Sequence, residues 1–290
     1  MTAFIDLHCH PPVKAYLEGP FAPYLDHVAA IFRRPVQMME PEELADLYRS
    51  LDGRAVLLGW DAGTATGLPP FTSSQVAELV AVAPDVFVGF GGIDPHRADA
   101  VDQVDIAADA GMLGLKFHPS VQRFDPADPR YLDIFARAVA HGLVCLFHTG
   151  YTALGSGMPG GAGVETEYAN PMRLDSLAAR VPELSIIAAH PSWPWQDEAI
   201  ATARHKPSVW LELSGWSPRR FPPALVEAVT GELLHRSLFG SDFPFITPQK
   251  WIGDWEQLDI APEATRRILH DNAAELLGLA DDRGDPDAGG

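Results

Sequence analysis

Several kinds of feature are scarce in this sequence, and each absence excludes a class of protein. The 290 residues include only two cysteines, Cys9 and Cys145. That is too few for a disulfide framework, and it favours reduced thiols in a cytoplasmic protein. No apolar run approaches the ~20 residues that a membrane-spanning helix needs, and the N-terminus MTAFIDLHCH has no basic region typical of a signal peptide. We therefore expect a cytoplasmic protein with no membrane partner.

Positive charge is also scarce. Lys and Arg number 21 against 39 Asp and Glu, for a formal net charge of −18. Basic residues cluster no further than pairs such as Arg33-Arg34 and Arg219-Arg220. A nucleic-acid-binding protein normally carries a basic patch, so we expect no nucleic-acid partner. The stretch DDRGDPDAGG at 281–290 holds four acids and one base, and we expect it to be a disordered acidic tail.

The rest of the chain, residues 1–280, alternates short apolar runs with amphipathic stretches about eight times. Runs such as AVLLGW and LSIIAAH are continuously apolar, as parallel strands buried on both faces are. Strands that alternate with helices indicate βαβ units and a parallel sheet. Eight units match a single α/β domain folded as a (β/α)₈ TIM barrel, whose usual size is about 250 residues. An open doubly wound sheet is the alternative, although no glycine-rich nucleotide motif follows the first run.

The pattern also predicts the bounds of the elements. The predicted strands span residues 3–8, 54–60, 86–93, 112–118, 143–148, 184–190, 208–214 and 237–242. The predicted helices span residues 41–51, 73–83, 98–110, 129–141, 171–181, 194–204, 223–234 and 262–277. Long βα loops at 11–40, 61–72 and 149–169 follow strands, so we expect them on the C-terminal face of the barrel, where active sites are built.

Histidine is abundant, with 11 residues, and five of them close predicted strands. The titratable residues at strand ends are His8, His10, His118, His148, His190 and Asp242. Residues two apart in a strand point to the same face, so His8 and His10 both face the barrel interior. One histidine at a strand end is usually only a satisfied polar residue. Several imidazoles and a carboxylate at one barrel mouth instead predict a divalent metal site.

The remaining histidines fall on predicted helices or loops, and we expect no functional role for them. They are His27, His96, His141, His205, His235 and His270. Cys9 lies between His8 and His10, so it is predicted to point outward into the packing between strand and helix.

Local motifs along the chain carry a family resemblance. DLHCHP, GLKFHPS, FHTG, AAHPSWPW, FGSDFPF and ILHDNAAELLGL lie within residues 6–279. In these motifs the chain resembles the amidohydrolase superfamily of metal-dependent barrel enzymes, and within it the group that contains aminocarboxymuconate-semialdehyde decarboxylase. The resemblance implies that His8, His10, His148 and Asp242 bind the metal and that His190 and Asp242 are catalytic. It implies one divalent ion, expected to be zinc with manganese or iron as alternatives, and relatives that often form homodimers.

The resemblance implies a hydrolase in which a metal-activated water attacks a small carboxylated or aromatic substrate. The same group contains non-oxidative decarboxylases, which use the same kind of site and are the alternative. The chain is short for those decarboxylases, which favours the hydrolase. A non-catalytic metal-binding barrel is a third hypothesis, and the intact ligand set argues against it.

Further residues near the strand ends are candidates for contact with a substrate. Lys116 and His118 are interpreted as supporting or substrate-binding residues. In binuclear superfamily members a carboxylated lysine on the fourth strand bridges two metal ions, and Lys116 could serve in the same way. A third possibility is that Lys116 only forms an ion pair with an acidic residue of the barrel. Tyr151, Trp216 and Arg219 follow strands and are expected near the substrate, against the alternative of ordinary packing or solvation. Either contact with the substrate or ordinary packing and solvation is also expected for Trp193, Trp195, Arg33, Arg34 and Arg220.

Overall fold

A computed structural model describes residues 3–279, in which eight parallel strands form one sheet in sequential order. The strands are Phe4–Cys9 (β1), Gly53–Leu58 (β2), Phe87–Gly92 (β3), Gly114–Phe117 (β4), Val144–His148 (β5), Ile186–Ala189 (β6), Val209–Glu212 (β7) and Ser237–Leu238 (β8). This order confirms the (β/α)₈ barrel. The doubly wound alternative is wrong, because such a sheet reverses its strand order at a switch point. The acidic tail predicted at 281–290 lies outside the described residues.

Helices cover the outside of the sheet. The α-helices span Lys14–Leu17, Leu25–Phe32, Pro41–Ser50, Gly63–Thr66, Ser73–Val82, Ala100–Asp109, Pro119–Gln122, Leu132–Ala140, Met172–Arg180, Gln196–His205, Pro223–Thr230, Pro248–Trp255, Pro262–Arg266 and Asn272–Leu277. The last two are joined by a π-helical turn at Arg267–Asp271, so the helix predicted at 262–277 is not a continuous α-helix. Within residues 3–279, no helix has the length and apolar character to cross a membrane.

Local sequence fixes where the helices begin. Pro41 opens the helix Pro41–Ser50, and Glu40 and Glu43 form a reciprocal capping box at that end. Thr72 and Gln75 form the same arrangement before Ser73–Val82, where the Thr72 hydroxyl accepts from the Gln75 N–H. These caps satisfy backbone N–H groups that have no partner within the helix. Both helices begin at the residues predicted from the sequence, Pro41 and Ser73.

Two apolar layers support the barrel. One layer fills the lower interior and contains Ile5, Leu7, Val56, Leu58, Val88, Phe90, Val144, Leu146, Ile187, Ala189 and Leu238. The larger layer lies between the sheet and the helices. Because successive strand residues alternate between these layers, His148 follows Val144 and Leu146 on the inward face of β5. The strand-end histidines therefore lie above an apolar interior layer.

The first strand departs from regular alternation just before its histidines. The β1–β2 register shifts between Asp6 and Cys9. Ile5 and Leu7 belong to the interior layer, whereas Cys9 packs in the outer layer, as predicted. An irregularity of this kind changes which side chains point inward, and it is common beside active sites. In this protein the register shift places the side chains of Leu7 and His8 on the interior face although the two residues are consecutive. His10, two residues after His8, then faces the interior as well.

The barrel closes along a short seam between its first and last strands. β8 has only two residues, so most of the strand predicted at 237–242 is an irregular segment. The Asp242 N–H donates to the His8 carbonyl at 3.0 Å, and the His10 N–H donates to the Phe243 carbonyl at 2.8 Å. These bonds hold the segment that carries Asp242 directly against the end of β1.

Candidate metal centre and its cavity

Ligand-type atoms from both ends of the chain meet at the mouth of the barrel. Asp242 Oδ1 lies 3.7 Å from His8 Nε2 and 3.4 Å from His10 Nε2. His8, His10 and Asp242 are buried, and one ligand atom from each lies within 4.8 Å of the others. Two imidazoles and a carboxylate at this spacing suit a divalent ion such as zinc, manganese or iron.

Hydrogen bonds to the second ring nitrogen of His8 and of His10 support the interpretation as a metal site. The Tyr16 hydroxyl lies 2.8 Å from His10 Nδ1, and Glu212 Oε2 lies 3.0 Å from His8 Nδ1. A metal-binding histidine normally uses its second ring nitrogen in such a bond, which fixes the ring and leaves the other nitrogen free to bind the metal. In both residues the other ring nitrogen is Nε2, which lies on the side of the ring that faces Asp242. The residues present therefore fit a divalent metal.

His148 lies outside this compact trio but lines the same cavity. Its Nε2 is buried and has no hydrogen-bond partner among the described residues. An unpartnered buried polar atom costs about 1–3 kcal/mol, so this nitrogen is suited to an external partner such as a metal or a substrate. Its ring stacks on His118, with centroids 3.8 Å apart and planes inclined by 10°.

Lys116 contributes a buried amine next to the trio. Its Nζ lies 3.0 Å from His8 Nε2, and the residue is 2% exposed. Burial lowers the pKa of this amine to about 7, against opposing contributions from Asp242 and Glu212. Within the described part of the chain, no carboxylate forms a salt bridge with Lys116.

His190 and Asp242 differ in charge although both are buried. Burial lowers the pKa of His190 to about 4, so its imidazole is neutral at pH 7. Burial acts to raise the pKa of Asp242, but the hydrogen bond with His10 and the nearby His190 and Lys116 lower it overall. Their φ angles of 71° and 70° are unusual for residues other than glycine, and backbone strain of this kind is concentrated at functional sites.

Two polar residues of the seventh strand region were missed by sequence reasoning. Glu212 is fully buried; its Oε1 accepts the Ser214 backbone N–H at 2.8 Å and its Oε2 accepts the Ser214 hydroxyl at 2.9 Å. The Ser214 hydroxyl also lies 3.1 Å from His8 Nδ1 and 2.9 Å from His190 Nδ1. His8, His190 and Glu212 form a second group with metal-like spacing, but the hydroxyl already contacts all three. A glutamate inside the apolar run WLELSGW was the available signal, because an unpaired carboxylate is almost never fully buried.

Asp6 is a further buried carboxylate that sequence reasoning missed. It accepts the Ser241 N–H at 2.7 Å, the Ser241 hydroxyl at 2.5 Å and the Tyr48 hydroxyl at 2.7 Å. Burial raises the pKa of Asp6 to about 6. These bonds fix the residue directly before Asp242, and so tie the position of that ligand to β1.

A cavity of about 1450 Å³ opens above the trio. Its polar floor contains His10, Lys116, His118, His148, His190 and Asp242. Aromatic lining comes from Phe21, Phe32, Trp60, Tyr151, Trp216 and Phe245, and cationic lining from Arg33, Arg34, Arg219, Arg220 and Lys250. The predicted candidates Tyr151, Trp216 and Arg219 thus border one space, whereas Trp193 and Trp195 are not among its lining residues. The ring of Trp193 contacts that of Trp216, with centroids 6.1 Å apart.

The histidines for which no role was expected lie outside this lining. They are His27, His96, His141, His205, His235 and His270. His96, for example, bonds the Gln122 carbonyl at 2.7 Å and the Tyr131 hydroxyl at 3.0 Å. The histidines predicted at strand ends are therefore the ones that the fold brings together at the barrel mouth.

Comparison with known proteins agrees with this architecture. An uncharacterized TIM-barrel protein from Bordetella bronchiseptica is 24% identical, with a TM-score of 0.79 over 95% of this chain and 98% of that chain. The 5-carboxyvanillate decarboxylase of Sphingomonas paucimobilis is 17% identical, with a TM-score of 0.66 over 97% and 100% of the two chains. A probable 2-pyrone-4,6-dicarboxylic acid hydrolase from Acinetobacter baumannii is 16% identical, with a TM-score of 0.62 over 96% and 100%. These likenesses show a shared fold.

The family itself is shown by sequence. No curated protein matches the chain. The family model described as Amidohydrolase matches residues 5–279, which include every residue of the trio. The chain therefore belongs to the amidohydrolase family.

Proposed function

We propose that the protein is a metal-dependent hydrolase that acts on a small, carboxylated ring compound. One observation carries the proposal: a neutral His190 and an ionised Asp242 lie at the floor of the cavity beside the ligand group. Both side chains are proton acceptors at neutral pH, as the activation of a water molecule requires.

His8, His10, His148 and Asp242 are the residues that would hold the metal. A bound divalent ion lowers the pKa of water and polarises a substrate oxygen. Zinc is the ion we propose, and manganese or iron would accept the same ligands. We propose one ion rather than two, as the resemblance of the motifs to the decarboxylase-containing group of the family implies.

His190 performs the proton transfers in this proposal. Its Nδ1 is engaged by Ser214, so Nε2 is the atom that accepts a proton from the attacking water. The water oxygen bonds to the substrate carbonyl carbon, and the C–O or C–N bond to the leaving group then breaks. His190 returns the same proton to the leaving atom, so the imidazole ends neutral as it began. Asp242 accepts a hydrogen bond from the water and helps to orient it.

The lining of the cavity supports a carboxylated substrate. A protein with a net charge of −18 places five cationic side chains around this one space, together with several aromatic rings. Arginine pairs with carboxylates through two parallel hydrogen bonds, and aromatic rings pack against a flat ring. The compounds named for the decarboxylase and the probable hydrolase compared above are also carboxylated.

A non-oxidative decarboxylase is the second candidate, and Lys116 is the observation that favours it. A buried amine with a pKa of about 7 is a proton donor at neutral pH, and it lies beside the ligand group. In that reaction a ring carbon gains a proton, and its bond to the carboxylate breaks as CO₂ leaves. Neutral Lys116 is then reprotonated from water.

Isotope labelling separates the two reactions. We expect the zinc-, manganese- or iron-loaded protein to act on at least one member of a panel of aromatic carboxylates and carboxylated lactones in H₂¹⁸O. A hydrolase incorporates ¹⁸O into the acid product and releases no CO₂, whereas a decarboxylase releases CO₂ and places solvent hydrogen on the ring. Stoichiometric metal with neither product across the panel would favour the non-catalytic barrel.

The arginine lining predicts a selective effect on substrate binding. Arg219 is exposed and borders the cavity, so Arg219→Ala should raise KM about tenfold, equivalent to ~1.4 kcal/mol, and leave kcat nearly unchanged. Steady-state kinetics on the substrate found above measure this split. Arg180→Ala is the matched control, because Arg180 is exposed at the end of the helix Met172–Arg180 and does not border the cavity. An unchanged KM in Arg219→Ala would contradict contact with the substrate.

A further inference from the structure

We propose that four arginines at the rim of the cavity form an anion-binding subsite, separate from the candidate metal centre, that holds a doubly charged group at the far end of the substrate. The four residues, here called the rim arginines, are Arg33, Arg34, Arg219 and Arg220. The role of this subsite in catalysis rests on the function proposed above, whereas its capacity to bind an anion does not require a metal.

The charges that line the cavity are the reverse of those of the whole chain. The sequence has 39 acidic and 21 basic residues. Among residues 3–279, the cavity is lined by six basic residues but by one acidic residue, Asp242, which lies at the floor. The six are the rim arginines together with Lys116 and Lys250. Positive charge that an acidic protein concentrates around one cavity attracts an anion to that cavity.

The two lysines of the lining do not belong to the rim subsite. Lys116 is buried at the floor, where its Nζ lies 3.0 Å from His8 Nε2. Lys250 forms a salt bridge with Asp254, which also accepts the Ser217 hydroxyl at 2.6 Å. The charge of Lys250 is therefore already balanced within the protein.

The rim arginines are exposed, and none of them forms a salt bridge with an acidic residue of the described chain. Other exposed arginines do form such pairs, as Arg49 does with Asp85 at 2.8 Å. Burial acts to raise the pKa of Asp254, but its bonds with Lys250 and Ser217 lower it overall, and Arg219 adds only a smaller contribution from a distance. Because a guanidinium group is always charged and carries five N–H donors, these arginines remain available to a ligand.

The fold places the two arginine pairs on either side of the segment that carries Asp242. The first pair follows the helix Leu25–Phe32 in the connection after β1, and the second pair ends the turn Pro218–Arg220 after β7. β8 pairs with β7, and beyond its end Phe243 pairs with Cys9 of β1. Both pairs therefore belong to the same side of the barrel mouth as the trio.

A row of aromatic rings connects the trio with the first arginine pair. The ring of His10 lies 6.1 Å from that of Phe245, which stacks on Phe32 at 5.3 Å with planes inclined by 25°. Phe32 directly precedes Arg33, and all four residues line the cavity. A flat substrate that packs along this row extends from the metal centre to the rim. An anionic group held by the rim arginines therefore lies away from the reacting bond, so it is recognised and not consumed.

The number of unpaired guanidinium groups indicates how much charge the ligand carries. A single carboxylate is fully engaged by one arginine through two parallel hydrogen bonds. Four arginines exceed that need, whereas a group with two negative charges can use several of them. A phosphate monoester, with a charge of about −1.5 to −2 at pH 7, and a pair of neighbouring carboxylates are the two groups that share this chemistry.

Calorimetric titration of the full-length protein with three ring compounds tests the subsite. Benzoate, isophthalate and phenyl phosphate share one ring, and at about pH 8 they carry one, two and nearly two negative charges. We expect isophthalate or phenyl phosphate to bind at least about tenfold more tightly than benzoate. The preference should hold in zinc-loaded and in metal-free protein, because no rim arginine is a metal ligand. The tighter of the two compounds identifies the natural group as paired carboxylates or as phosphate.

Substitution of one arginine from each pair shows whether the rim provides this affinity. Arg33→Gln and Arg219→Gln each remove a charge and keep a polar side chain, and the variant with both changes should lose the preference for a doubly charged compound. Arg180→Gln is the matched control, because Arg180 is exposed and does not border the cavity. Thermal melting verifies that each variant is folded.

Three results would overturn the subsite. They are equal affinity of the wild type for the three compounds, an undiminished preference in the double variant, and an equal loss of preference in Arg180→Gln. The proposed function fails in a different way, through a protein that binds no zinc or that turns over no carboxylated ring compound. The titrations of metal-free protein would then still decide whether the rim binds a doubly charged anion.

Discussion

Replacing His190 with asparagine is expected to lower kcat by about 10²–10⁴-fold while zinc stays bound, because the group that moves the proton is lost but no ligand of the trio is. The amide keeps a polar group at this position beside the Ser214 hydroxyl. It cannot accept a proton at neutral pH, so the water would lose its base and the leaving group its acid. Turnover on the identified substrate and zinc content per chain are the two measurements.

A matched histidine makes this result interpretable. His235 is exposed and does not border the cavity, so His235→Asn should retain both kcat and zinc. A near-normal kcat in His190→Asn would contradict the acid/base role of His190. Loss of zinc in that variant would show instead that His190 is a metal ligand, and the division of roles proposed here would be wrong.

The second large effect is expected from His8→Ala, which should abolish metal binding and with it all turnover. His8 is fully buried, and its ring contacts Asp242, Lys116, Glu212 and Ser214. Removal of the ring deletes one residue of the trio, and it also leaves the buried Glu212 side chain without its His8 partner. Metal analysis after equilibration with zinc measures the loss, and circular dichroism reports whether the barrel still forms.

The control for His8→Ala is His205→Ala. The His205 side chain is 77% exposed and lies far from the trio in the fold, at the end of the helix Gln196–His205, so its loss should not change metal content. One zinc per chain at wild-type affinity in His8→Ala would exclude His8 as a ligand.

The strands and most helices could be predicted because their periodicity is a local property of the sequence. The first strand was predicted with its observed length, and the other seven were predicted about one to four residues too long, because apolar runs continue past the residues that pair in the sheet. The helices Leu25–Phe32 and Pro248–Trp255 were not predicted. The first lies in the predicted loop 11–40, and the second lies between the predicted strand 237–242 and the predicted helix 262–277, where no element was predicted. Their apolar faces pack against the outer layer, and such tertiary support is not visible in a short window of sequence.

The candidate site could be predicted in part for a related reason. Strand ends of a parallel barrel share one mouth, so polar residues at those ends are brought together whatever their separation in sequence. The residues behind them could not be placed this way. Glu212 is 204 positions from His8, and nothing local links the two. The register shift in β1 was equally invisible, since it depends on the pairing of β1 with β2.

The seam between β1 and β8 has a consequence for how the protein is made. His8 and His10 leave the ribosome early, whereas Asp242 follows more than two hundred residues later. The Asp242 N–H donates to the His8 carbonyl, and the Ser241 N–H and hydroxyl donate to the Asp6 carboxylate; these hydrogen bonds form only when the last strand reaches the first. A nascent chain therefore presents His8 and His10 on an unpaired edge of β1 until β8 has been synthesised. The proposed metal site is completed only when β8 has reached β1.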